Sequence, residues 1–262
     1  LSQNLLYLSE ELRKTKELQS KVRSAMIYPI IILVATIGMT AFLAFFVLPK
    51  LLPMLQGMNV QLPPTTRALI NSIEFLKNYG IVTAIGIFVA IFASRLLVRK
   101  VRAIRYAVHR IIFMLPVVSP LVIAINMVTF ARVLAMLLKS GVKIVEAVTI
   151  TGNTFSNLVY QRLLIAANDD IRKGGQLANI LAHENKFFPP LLSGMIRVGE
   201  GTGNLEDNLF YLSEYYDEEV DTKLRNLTSL LEPLMLLTMG LMVGFVAISI
   251  ITPIYSLSQG VK

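Results

Sequence analysis

Residues 233–255, PLMLLTMGLMVGFVAISIITPIY, contain no charged side chain. As a helix this stretch is long enough to cross the hydrocarbon core of a bilayer, which takes about 20 largely apolar residues. Two more stretches of the same kind lie upstream. Residues 28–48 carry no charge between Arg23 and Lys50. Residues 79–98 have an uncharged core at 81–94, and Arg95 lies near enough to their end to snorkel to the headgroups. A soluble protein that buries one apolar helix imitates one such stretch, but not three of this length. No small-residue cleavage pattern follows the first, which argues against a secretory signal peptide. The composition agrees: 54% of the residues are hydrophobic and 16% are charged, against about 25% charged in a typical soluble domain. The chain therefore reads as an all-α integral membrane protein with three spans.

The cations set its orientation. Arg13, Lys14, Lys16, Lys21 and Arg23 precede the first span, and Arg95, Arg99, Lys100, Arg102, Arg105 and Arg110 cluster at and after the end of the second. Only Lys50, Arg67 and Lys77 lie between the two. Positive residues stay on the cytoplasmic side, so 1–28 and 99–230 are expected there. Transmembrane helices are expected at 29–48, 79–98 and 231–255. Residues 49–78 form a short loop on the other side, where the tail 256–262 also ends. This distribution accounts for much of the net charge of +8. No basic groove interleaved with aromatic residues is present, which argues against nucleic acid as a partner. The lack of cysteine excludes disulfides, thiolate zinc sites and cysteine nucleophiles.

Upstream of the last span the sequence repeats its own beginning. Asn208-Leu209-Phe210-Tyr211-Leu212-Ser213-Glu214 matches Asn4-Leu5-Leu6-Tyr7-Leu8-Ser9-Glu10, a register of 204 residues. The same register lays Pro233 over Pro29 and Pro253 over Pro49. Two hydrophobic helices share leucines by chance far more readily than Tyr-Leu-Ser-Glu and two prolines in one register. The chain thus reads as two copies of one unit, a cytoplasmic helical domain feeding a membrane helix. Residues 1–28 are the tail of the first copy, and the natural chain is expected to extend upstream of Leu1. Pro29 and Pro233 each remove a helix hydrogen bond. Either they bend the chain where it enters the bilayer, or they mark the ordinary end of a membrane helix.

Residues 99–230 read as an antiparallel bundle of about six helices. Val128, Ala131, Leu134, Ala135 and Leu138 recur at helical spacing, and Ser140-Gly141 stops that helix. A second helix runs over 143–151. A third is capped by Asn157 and ends at Gly174-Gly175, and a short fourth covers 177–182. Pro190 suits the first turn of a fifth that reaches about residue 198. Residues 199–204, Gly-Glu-Gly-Thr-Gly-Asn, then turn into the last helix, whose apolar face includes Leu205, Leu209, Leu212, Tyr216, Val220, Leu224 and Leu227.

Several of these stretches together resemble one family. Residues 130–142, FARVLAMLLKSGV, with Glu146-Ala147 following, are similar to the opening of its second cytoplasmic domain. Phe188-Pro189-Pro190-Leu191-Leu192 and residues 195–205, MIRVGEGTGNL, are similar to its signature stretch. Leu230-Leu231-Glu232-Pro233-Leu234 resembles the entry to its last span, and Leu62-Pro63-Pro64-Thr65-Thr66-Arg67 its periplasmic loop. Ala178 departs from the pattern, where a serine is expected. The family is that of the type II secretion F protein and the type IV pilus inner-membrane platform protein. The resemblance implies a multi-pass bacterial inner-membrane scaffold, not an enzyme, without cofactor or metal. It implies a hexameric assembly ATPase, pilin or pseudopilin subunits, other inner-membrane assembly proteins and further copies of itself as partners. A transporter or permease subunit is the alternative, but it calls for polar or broken helices at mid-bilayer, and these spans are nearly devoid of such residues. A membrane peptidase would need an intramembrane aspartate, which is absent from all three.

The candidate contact or coupling residues are Glu200, Gly201, Gly203 and Asn204 in the turn, with Glu232 and Pro233 at the entry to the last span. A phosphate loop requires Gly-Lys-Ser/Thr opening a helix, and Asn204-Leu205 stands there instead. If the glycines take positive φ, larger residues strain the turn. If the corner meets a partner, reversing the charge of Glu200 weakens assembly and leaves the fold intact. His109 and His183 have no cysteine or histidine at ligand spacing. Asp169 and Asp170 diverge on a helix by about 100°, so neither pair reads as a metal site. The acidic residues of the last cytoplasmic helix, with Glu219–Lys223 and Asp221–Arg225 at helical pair spacing, read as a solvated face or a docking surface for a basic partner.

Overall fold

The computed structural model describes residues 2–42, 46, 64–116 and 118–259. Among the described residues the secondary structure is helical: α1 (Ser2–Phe42), α2 (Pro64–Lys100), α3 (Arg102–Ile112), α4 (Ser119–Lys139), α5 (Ile144–Thr154), α6 (Leu158–Arg172), α7 (Leu177–His183), α8 (Pro190–Thr202) and α9 (Leu205–Gln259). The chain divides into two compact units. One comprises Leu1–Arg23 with Leu96–Leu227, the other Ser24–Arg95 with Thr228–Lys262.

The first unit holds the buried core. Phe130, Tyr160 and Phe188, on α4, on α6 and just before α8, are fully buried. Phe188 meets Phe130 edge-on at 5.7 Å and Tyr160 at 5.4 Å, while Phe155 stacks on Tyr160 at 5.4 Å. Such rings add about 0.5–1.5 kcal/mol per pair beyond the area they bury. The Tyr160 hydroxyl donates to the Phe187 carbonyl at 2.9 Å, so the ring is buried without orphaning its polar end. Burial, and secondarily Tyr216, pushes its pKa far above the ordinary phenol value. Around this cluster α4 packs on α5, α5 on α6, α6 on α3 and α7, and α7 on α8.

The expected helix ends match the local chemistry. Gly141 (φ 81°) follows α4, and Gly174 (φ 90°) follows α6. The Asn157 side chain accepts the Val159 N–H at 2.9 Å. In this unit two elements differ from expectation. Helix α3 was not anticipated in the sequence, and α8 continues through residues 199–202, which were expected to be turn.

In this unit the N-terminal helix meets its repeat counterpart. Lys21 Nζ lies 3.2 Å from Asp217 Oδ2 and 2.9 Å from Asp221 Oδ2. Arg132, buried on α4, places Nη2 3.9 Å from Asp217 Oδ1. The two carboxylates of α9 thus gather cations from two other elements.

In the second unit, burial is inverted. Ile31, Val34, Ile81, Phe88, Leu237 and Leu241 are all exposed, a pattern that suits lipid and not water. Here α1 and α9 run side by side and parallel: Thr36 Oγ1 reaches Met239 Sδ at 3.5 Å, and Thr40 Oγ1 reaches Met242 Sδ at 2.8 Å. Both hydroxyls also donate to the carbonyls four residues back, which satisfies them within their own helix. Helix α1 continues through Pro29, and α9 continues through Pro233. Helix α2 begins at Pro64, inside the segment expected as loop; residues 49–63 lie outside the described residues.

Among the described residues four helices, where three spans were expected, contain segments long and apolar enough to cross a membrane: Lys16–Phe42, Asn78–Val98, Ser119–Lys139 and Leu205–Ser249. They differ in one respect. Half of the most apolar window of Ser119–Lys139 is buried inside the protein, against 0–6% in the others.

Candidate functional site

The turn at the end of α8 is built from three glycines with different duties. Gly203 caps the helix in the left-handed conformation, φ 78° and ψ 3°, which a side chain adopts only at a cost. Gly199 is buried where the start of α9 crosses α8. A Cβ there would lie 2.7 Å from Leu205 Cα, closer than atoms pack. Gly201 has neither constraint: it is helical, with open space where a Cβ would stand. The expectation of positive φ therefore holds at Gly203 and fails at Gly201. Asn208 clamps the corner, donating from Nδ2 to the Met195 carbonyl at 3.0 Å. Gly201, Gly203 and Asn204 are exposed.

Glu200 does not project freely from this corner. Its Oε1 accepts the Leu177 N–H at 2.8 Å and its Oε2 the Ala178 N–H at 3.1 Å. These are the first N–H groups of α7, whose own N-cap residue, Gln176, makes no side-chain capping bond. The carboxylate thus supplies both acceptors and a favourable charge for the helix dipole. The expectation that charge reversal at Glu200 leaves the fold intact is corrected: a lysine there would face two backbone donors. The same contact gives residue 178 a role through its backbone, which alanine fulfils as serine would.

Glu232 and Pro233 lie in the second unit and are exposed on α9. On the acidic helix, Glu219 pairs with Lys223 at 2.6 Å, as its spacing predicts. Asp221 is engaged by Lys21, a partner far away in sequence. Asp170 lies 3.8 Å from Lys173 on the exposed end of α6. His109 accepts the Leu158 N–H on Nδ1 at 3.1 Å, so it caps α6 from α3.

The sequence reading missed three working contacts: Glu200 on α7, His109 on α6, and Lys21 on α9. Each joins residues distant in the chain, and no local spacing marks them. Lys21 alone left a trace, since a basic first copy and an acidic second copy of one repeated helix are complementary.

Comparison with known proteins places these features. The protein-family model described as "Type II secretion system (T2SS), protein F" matches residues 1–49 and 130–253. The two matches end 204 residues apart, at 49 and 253, the register of the internal repeat. The type IV pilus assembly protein PilC of Thermus thermophilus is 34% identical over 250 residues, which cover 95% of this chain and 61% of that protein. The PilC protein of Pseudomonas aeruginosa is 29% identical over 246 residues, 94% of this chain and 66% of that protein. The type II secretion system protein F of Aeromonas hydrophila is 31% identical over 255 residues, 97% of this chain and 65% of that protein. The chain thus spans a little under two thirds of the length of these relatives. On the family match across both copies of its repeat, the chain belongs to the type II secretion system protein F family.

Proposed function

We propose that this protein is an inner-membrane platform of a type IV pilus or type II secretion machine, a scaffold and not an enzyme. Its partners are a hexameric assembly ATPase, pilin or pseudopilin subunits, other inner-membrane assembly proteins and further copies of itself. Three helices cross the membrane, α1, α2 and α9, with residues 99–230 in the cytoplasm. Helix α4 is the core helix of the cytoplasmic bundle and not a fourth span, a reading supported by its buried window.

The observation that carries the mechanism is the continuity of α9. This one helix runs from Leu205, in the bundle, to Gln259, beyond the apolar stretch. A force that the ATPase applies to the bundle is led toward the membrane along this one helix. The corner of Gly201, Gly203 and Asn204 is exposed at the start of that helix and is the proposed contact. Glu200 acts there by holding α7 in place. Glu232 and Pro233 are the proposed coupling residues where the helix enters the bilayer.

The test is deletion of the gene, followed by complementation with the full-length chain. Surface pili and secreted proteins are measured beside membrane abundance. The expected result is loss of piliation or of secretion, restored by the intact gene. A deletion strain that keeps both at parental level overturns the platform reading.

A further inference from the structure

Helix α3 carries an apolar row that the bundle does not cover. Ile104, Val108 and Ile111 recur at i, i+4 and i+7, and Val101 and Leu115 extend the row at either end; all five are exposed. The other side of the helix docks on the bundle. Arg105 Nη2 donates to the Ser156 carbonyl at 2.6 Å. The Arg162 guanidinium lies 4.2 Å from the centre of the Tyr106 ring. His109 accepts the Leu158 N–H, and Phe113 meets Tyr160 at 5.8 Å and Phe187 at 5.1 Å. A water-exposed amphipathic helix turns its apolar side to the core. Helix α3 docks instead through its polar and aromatic side and turns its aliphatic side outward.

We infer that this row lies in the headgroup region of an anionic membrane face, and that α3 seats the bundle on the bilayer. Three observations select lipid as the occupant. First, α3 follows α2 with only Val101 between them. The Val101 N–H donates to the Leu97 carbonyl at 2.9 Å, and its own carbonyl accepts the Arg105 N–H at 3.0 Å. The chain therefore passes from the helix that contains Asn78–Val98 into α3 without an intervening loop. Second, the charge along this stretch of chain is of one sign. Arg95, Arg99, Lys100, Arg102, Arg105 and Arg110 cluster there, and no Asp or Glu occurs between Glu74 and Glu146. Third, an aliphatic row flanked by cations is the composition of helices that lie flat in a membrane interface, and anionic lipid strengthens their binding. The inference rests on α2 crossing the membrane, as proposed above.

The chain contains no tryptophan, so single tryptophans report local surroundings directly. Three variants of the whole chain are reconstituted in bilayers of phosphatidylglycerol and phosphatidylcholine: Ile111→Trp on the row, Phe88→Trp within α2, and His183→Trp on the exposed end of α7. The phosphatidylcholine is brominated either near the headgroup or near the chain ends. Ile111→Trp should emit at short wavelength and be quenched about twofold more by shallow bromines than by deep ones. Phe88→Trp should show the reverse preference, and His183→Trp should be quenched by neither. Replacing phosphatidylglycerol with phosphatidylcholine should weaken the shallow quenching of Ile111→Trp. If Phe88→Trp is quenched and Ile111→Trp is not, the inference falls while the span stands. Long-wavelength emission would then place the row in water, and short-wavelength emission would place it against a second copy or another protein. If Phe88→Trp is itself unquenched, the reading of α2 as a span falls, and the seating of α3 falls with it.

Discussion

Glu200 holds the first turn of α7 through Leu177, whose N–H it accepts at 2.8 Å while its second oxygen takes the neighbouring N–H of Ala178 at 3.1 Å. Loss of a helix cap costs about 0.5–2 kcal/mol. Glu200→Ala should therefore lower stability by about 1–2 kcal/mol. Glu200→Lys should lower it further, because an ammonium group would face two donors. Glu200→Gln keeps one carbonyl acceptor and should fall between the parent and Glu200→Ala. Thermal melting of the purified protein, with membrane abundance as a second readout, checks the order. A Glu200→Lys protein as stable as the parent would show that the cap carries no weight.

The three glycines beside it should separate cleanly. Gly199→Ala forces a Cβ to 2.7 Å from Leu205 Cα, and overpacking of this kind costs about 1–3 kcal/mol. Gly203→Ala pays about 1–2 kcal/mol for a left-handed backbone. Gly201→Ala meets open space in a helix and should be neutral or stabilising by up to about 1 kcal/mol. Melting temperatures of the three variants test this ranking. Equal losses at all three would mean that the corner responds to composition and not to geometry.

The same corner shows how far the sequence could be read. Gly203 was legible because a glycine before Asn204-Leu205 ends one helix and starts the next. Gly199 was not, since a close helix crossing leaves no mark on its neighbours in sequence. The repeat and the apolar stretches were legible because each is a property of contiguous residues. The bundle's hidden helix, α3, was not read because its apolar row at 101, 104, 108, 111 and 115 lies among cations that serve equally well to set orientation. Helix α4 shows the converse limit. Composition alone fits it for a membrane, and its burial around Phe130 and Phe188 is a product of packing that contiguous residues do not record.

His109 gives the bundle a pH dependence of definite sign. Burial, and then the nearby Arg105, lowers its pKa below the ordinary value of 6.5, and its Nδ1 must be unprotonated to accept the Leu158 N–H. The unfolded chain therefore binds the proton before the folded chain does as pH falls. Stability contributed by His109 is complete above the ordinary histidine range and is lost on acidification down through the folded-state pKa. Melting temperature should drop between about pH 7.5 and about pH 5. In His109→Asn, whose side-chain carbonyl accepts the same bond without titrating, the drop should be smaller. Equal drops in parent and variant would assign the acid sensitivity to other groups.

Helix α4 decides the side of the membrane on which the bundle lies. If it crossed the bilayer, it would give up the burial of Met127, Val128, Phe130, Ala131 and Leu134, all wholly enclosed within the bundle. It would also carry Arg132 away from Asp217, its partner at 3.9 Å, towards hydrocarbon at a cost of about 2.5 kcal/mol or more. Both terms oppose crossing, so three spans are expected. These 262 residues contain no cysteine, so a single cysteine introduced into this chain is labelled unambiguously. Arg67→Cys, on the exposed start of α2, should react with a membrane-impermeant maleimide added outside spheroplasts. Asp169→Cys, on the exposed side of α6, should react only after the membrane is permeabilised. A crossing α4 would carry residue 169 to the outer face and make it react at once. Labelling of Asp169→Cys in sealed spheroplasts that exclude the reagent from a cytoplasmic marker would therefore overturn the three-span topology.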